Sequence, residues 1–198
     1  MSIFNNDSYF AHSFENGSVS GDNYQGIEFE ECHFAGCDFS NACFERCRFI
    51  NCTFESCNLS LTKFPKTRWM DISFSECKLI GIDWTSAEWP VYHRDFGIKY
   101  RRCILNDVSY YGLTLQELEF EECTIRDADF REGDFSKSTF IACDLSRSLF
   151  VQTNLENVDF SDSTCFSINV LENRVVGAKF SRYEALSLLE SLGINLAD

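Results

Sequence analysis

The feature that most limits what this chain can become is a five-residue beat. Every fifth residue from Phe29 to Trp89 is Phe, Leu or Trp, thirteen positions in succession. The beat then slips by one residue and resumes at Tyr100, passing through Leu105, Phe120, Phe140, Phe160, Cys165, Val170 and Val175 to Phe180. Two residues before each centre stands a smaller side chain, such as Cys32, Cys37, Ala42, Thr62, Cys103, Gly133 or Ser148, and the other three positions are mostly polar. A helix turns about every 3.6 residues and a strand alternates every two, so neither stays in phase with a beat of five for long. A coil with corners does. If the centre and the residue two before it both point inward, each repeat is one short side of a solenoid that ends in a turn.

Composition narrows the rest. The chain has 198 residues, 44% of them apolar and 20 of them Phe, enough for one packed unit and too apolar for a disordered chain. The start, Met1 to Asp7, lacks the basic and apolar run of a secretory signal, and no stretch reaches membrane-spanning length. Eleven Cys without an export signal point to a reducing cytoplasm and free thiols serving as small buried hydrophobes. Nine of them hold the small inward position; Cys43 and Cys165 do not.

A formal charge of -14 argues against nucleic acid or anionic lipid as a ligand, because phosphate binding relies on Lys and Arg. His12, His33 and His93 have no triad or metal-site spacing, no C-x-x-C pair exists, and glycine-rich phosphate loops and nucleophile elbows are missing. The reading is a non-enzyme with no cofactor, no metal site and no catalytic residue.

These residues resemble the pentapeptide-repeat proteins, whose motif runs small, polar, Leu or Phe, polar, polar. The resemblance spans roughly residues 17 to 180 and implies an all-β, right-handed quadrilateral β-helix with four pentapeptides per coil. Positions twenty apart should then stack, as Cys37, Cys57 and Cys77 do in one column and Cys103, Cys123 and Cys143 in another. Eight coils at the ~4.8 Å spacing of strands would make a rod of about 40 Å. Residues 1–16 are expected to cap it or remain apart, residues 17–180 to form the solenoid with a frame break at about 90–98, and residues 181–198 to cover the far end.

Ser181 to Glu184 reads as a capping box opening a helix from about 182 to 192. Ala185, Leu186, Leu188, Leu189 and Leu192 share one arc of that helix, Gly193 suits its C-terminal cap, and Ile194 follows. This segment resembles the dimer element of the quinolone-resistance (Qnr) members of the family, which implies a homodimer. Cys57 to Leu61, Asp83 to Pro90 and Arg102 to Asp107 resemble members that confer albicidin resistance.

What the resemblance implies is a protein that imitates duplex DNA to DNA gyrase, with topoisomerase IV as a second candidate, and protects it from a drug or toxin. Charge allows this in part: -14 over about 40 Å is about one charge per 2.8 Å, against about one per 1.7 Å in DNA. Glu45, Glu55, Asp71, Glu119, Glu121, Asp129 and Asp134, all off the inward positions, are the candidate acidic surface. Pro90, Val91, Tyr92, His93, Arg94, Asp95 and Phe96, which fit neither frame, are the candidate gyrase-contact loop. The rival reading is a non-catalytic scaffold of the same fold with a different protein partner.

Overall fold

In a computed structural model that describes residues 3–90, 92 and 96–195, the five-residue beat becomes strands of about three residues. They stack in parallel one coil above another. Ser8–Phe10 pairs with Glu28–Glu30, which pairs with Arg48–Ile50 and then Arg68–Met70. A nine-stranded sheet runs the length of the rod from Ser13–Glu15 to Lys179–Phe180. Single bridges such as Ser18 with Asp38 form a third side, and Asn23–Gln25 with Cys43–Glu45 the fourth. The register is twenty residues in these strand pairs except that of Ile72–Ser75 with Ile98–Arg101, so one regular coil is four pentapeptides.

Each side ends where a residue takes the left-handed conformation. Gly36 does so at φ 61°, but so do Asn16, Arg46 and even Leu61, at φ 59°. The corner is therefore imposed by the stack rather than chosen by glycine. Its amide donates to a carbonyl of the next coil: Asn16 to Ala35 at 2.8 Å and Leu61 to Ile80 at 2.8 Å. Repetition of that bond offsets the cost of an unfavourable backbone.

The centres fill the bore as aromatic columns. Phe34 stacks on Phe54 at 4.7 Å between centroids, Phe49 on Trp69 at 4.5 Å, and Phe120 lies between Tyr100 and Phe140 at 4.8 and 4.7 Å. The small position does more than fill space. Cys57 Sγ donates to the carbonyls of Phe34 and Glu55 at 3.4 and 3.3 Å and accepts from the amide of Cys37. Thr62 Oγ1 donates in the same way to Phe39 and Leu59, both at 2.8 Å. The thiols are thus hydrogen-bonded joints of the wall, a role beyond the inert packing that composition suggested.

Nine of the eleven thiols are buried, Cys43 is half-buried and Cys165 is exposed. Burial pushes Cys47 up to about 11 and Cys52 up to about 12, far from the thiolate form that reacts. In the folded protein at pH 8 an aromatic disulfide reagent should therefore titrate Cys165 quickly and Cys43 more slowly. The other nine should react only after denaturant is added; fast release of more than two equivalents would contradict this wall.

Both ends depart from the expected boundaries. The coil starts at Ser8, not at residue 17, because Tyr9, Phe14, Val19 and Tyr24 already keep the beat. Only the segment before it acts as a lid: Phe4, 5% exposed, points into the bore against Phe29 at 4.9 Å and Phe14 and Tyr24 at 5.1 Å. Near the other end Cys165 is exposed and Val170 half-buried, so neither is the inward centre the frame predicts. Phe166 and Ile168 take those places at 4% and 3% exposure, since a phenyl buries more apolar area than a thiol and isoleucine more than valine.

The C-terminal helix is also shorter than 182–192, covering Leu186–Glu190. Its capping box does not form. Ser181 Oγ instead accepts from the amide of Asp162 at 2.7 Å and Glu184 Oε2 from the amide of Cys165 at 3.2 Å. Those amides have no further coil to bond, so the two side chains stand in for its carbonyls and Ala185 is left without a side-chain cap.

Candidate interaction surfaces

Outside the frame break the coils leave little but short, regular sides, so the break is the main irregularity of the wall. Twenty-six residues separate Phe74 from its partner Tyr100, six more than the twenty that separate Phe54 from Phe74. The amide of Glu88 still bonds Thr67 at 2.9 Å, and that of Asp71 bonds Phe96 at 2.8 Å, so the wall is seated on both sides of the extra residues. Trp89 Nε1 donates to the carbonyl of Trp84 at 2.9 Å, and its ring meets the buried Phe96 at 5.0 Å. Pro90 is half-buried and Tyr92 is 87% exposed, whereas Val91, His93, Arg94 and Asp95 lie outside the described residues.

Because the wall is seated on both sides of the insertion, the two cysteine columns are one. Cys77 Sγ and Cys103 Sγ make equivalent bonds one coil apart, to the carbonyls of Phe54 and Phe74, and Cys103 is joined to Cys123 as Cys57 is to Cys77. The one-residue slip in the written sequence is an insertion of six residues between stacked partners.

The seven acidic candidates do not share one face. Glu45 and Asp129 flank the side that carries Phe44 and Phe130; Glu55, Glu119 and Glu121 flank that of Phe54 and Phe120; Asp134 adjoins Phe135, and Asp71 is a corner residue at φ 53°. Most of them also have cations beside them. Glu119 lies 2.9 Å from Lys99, Glu121 3.5 Å from Arg101, Asp129 2.7 Å from Arg131 and Glu45 3.6 Å from Arg46, while Glu55 approaches His33 at 3.8 Å. Arg131 holds the Asp129 carboxyl below its ordinary pKa. Asp134 accepts from the Ser136 amide, Gln116 and Asn154 at 2.9 to 3.0 Å.

Reading by column reveals what reading by position missed. Cations and acids alternate at a spacing of one coil, as in Lys137 with Glu117 and Arg147 with Asp127. The field is instead least cancelled at the start of the rod, where residues 1–45 hold eight acids and no Lys or Arg. Among the described residues no group of three or more His, Cys, Asp or Glu could hold a metal ion, and no helix is long and apolar enough to cross a membrane.

At the C-terminus the expected dimer residues divide. Leu188 packs against the core and Ala185 and Leu189 are half-buried, whereas Leu186, Leu192 and Ile194 are each 46% exposed. Leu171, Val176 and Tyr183 extend the exposed apolar surface at this end of the chain.

The profile of the pentapeptide repeat region matches residues 27–106 and 96–160, two stretches that overlap at the frame break and together cover most of the coils. The chain is a pentapeptide-repeat protein. No curated protein sequence matches it. Among solved structures, this pentapeptide-repeat protein is similar to QnrB1, a plasmid-mediated fluoroquinolone resistance protein. A trypsin-treated form aligns at a TM-score of 0.71 and 20% identity over 96% of this chain and 97% of that one. A second trypsin-treated form aligns at 0.63 and 21% identity, covering 96% and 100%, and the full-length form at 0.59 and 21%, covering 94% and 100%. At that identity the likeness establishes the fold, a β-solenoid closed by one short helix.

Proposed function

We propose that this pentapeptide-repeat protein binds DNA gyrase, with topoisomerase IV as a second target, and protects it from a gyrase-directed antibiotic or toxin of the quinolone or albicidin kind. The observation that carries the reading is the end-to-end correspondence with QnrB1, a resistance protein, across 96% and 97% of the two chains. The three segments resembling albicidin-resistance members support the second drug class. The protein acts as an acidic rod entering a basic groove that normally accepts DNA, led by residues 1–45, which hold eight acids and no Lys or Arg, with the loop from Pro90 to Phe96 as an added contact. It does so in the cytoplasm as a homodimer joined through Leu186, Leu192 and Ile194.

A second reading, a scaffold for a different protein partner, is favoured by the one-coil pairing of cations with acids, which weakens DNA mimicry over most of the rod. Gyrase supercoiling with the protein titrated in, with and without a quinolone or albicidin, separates the two. Rescue in drug, or inhibition without drug that fades between low and high salt, is the expected result. No effect in any arm leaves the scaffold reading.

A further inference from the structure

One corner breaks the charge alternation. Arg48 and Arg68 are direct partners in adjacent strands, and the next column places Arg46 one coil before Lys66. Arg48 and Arg68 turn apart, to Glu28 at 2.7 Å and Glu88 at 2.5 Å. Arg46 reaches only Glu45, at 3.6 Å, and Lys66 makes no ion pair among the described residues. Like charges about 4.8 Å apart repel, so this arrangement works against the free protein. A surface pocket of 240 Å³ lies among Arg46, Cys47, Arg48, Lys66, Arg68 and Glu88. It shares Arg48 and Arg68 with a groove of 200 Å³ whose lining includes Ile50, Met70, Pro90 and Phe96.

We infer that this corner binds a short acidic segment of a protein partner, its carboxylates held by Arg46 and Lys66 and a neighbouring apolar side chain seated on Ile50 and Met70. Charge complementarity selects the occupant. The cations form a small island on a chain of net charge -14, beside an N-terminal stretch with no cation at all, so a long polyanion would meet repulsion on either side. A few carboxylates fit within the island. The apolar groove next to it gives a peptide a foothold that a free inorganic anion cannot use. The inference stands apart from the gyrase reading, since it concerns the cationic rather than the acidic surface.

The test uses a fluorescein-labelled peptide of Glu-Glu-Phe repeats, its Gln-Gln-Phe counterpart and inorganic phosphate as a competitor. The Glu peptide should bind, more weakly as salt rises, and Lys66→Glu should reduce its affinity at least about tenfold. Glu already takes the same left-handed conformation at other corners, Glu76, Glu122 and Glu132, so the variant suits the backbone. Lys137→Glu, equal in charge change but remote, should leave binding as it was. Equal binding of the two peptides, undiminished binding by Lys66→Glu, equal losses in both variants, or displacement by millimolar phosphate would each overturn the inference.

Discussion

Phe120→Ala should lower the stability of the rod by about 3–5 kcal/mol, the range for deleting a phenyl ring from a core that cannot collapse around the gap. Phe120 is fully buried between Tyr100 and Phe140, with Tyr110 at 6.4 Å, and the paired strands on either side fix those rings in place. Each coil touches only its neighbours, so the cavity interrupts the column and uncouples the two halves. Urea unfolding followed by fluorescence and circular dichroism should show a lower midpoint and a shallower slope, as the halves begin to melt separately. Glu119→Ala, on the outer surface of the same strand, should change stability by less than about 0.5 kcal/mol. A loss below about 1 kcal/mol for Phe120→Ala would mean that the column relaxes and does not carry the stability assigned to it.

The second large effect concerns assembly. Leu186→Asp combined with Leu192→Asp should convert the proposed dimer into a monomer of 22.8 kDa by light scattering at micromolar concentration, with an unchanged circular dichroism spectrum. Both side chains are 46% exposed and neither belongs to the core, so a carboxylate on each is hydrated in the monomer and desolvated only in the dimer. Leu188→Asp should act differently. That side chain packs on the last coil, so its replacement should lower Tm before it alters mass. A wild-type protein that already scatters as a monomer would remove the dimer and leave the helix as a plug alone.

The coil was legible in the sequence because its periodicity is carried by large side chains. Thirteen uninterrupted Phe, Leu and Trp centres admit few other geometries, and the columns of Cys follow from their spacing. What the sequence hid was what neighbouring coils do to each other. Ser181 and Glu184 look like a capping box until the orphan amides of Asp162 and Cys165 compete for them. Glu119 and Glu121 look like free charge until Lys99 and Arg101 are laid twenty residues away on the adjacent strand. The shift from Cys165 to Phe166 depended on which side chain buries more area once the last coil loosens, a competition no fixed frame can express. The start of the rod could have been found: Tyr9 keeps the beat, and only the polar residues around it concealed the first coil.

The six extra residues at the frame break have a consequence for how such a protein diversifies. They lengthen the chain by six without altering which side chains face each other across the wall, since Phe74 still meets Tyr100 and Cys77 still precedes Cys103 in its column. Insertion within a side and duplication of a whole coil are therefore independent operations. One decorates the surface while the other sets the reach of the rod, and selection can adjust either without disturbing the other.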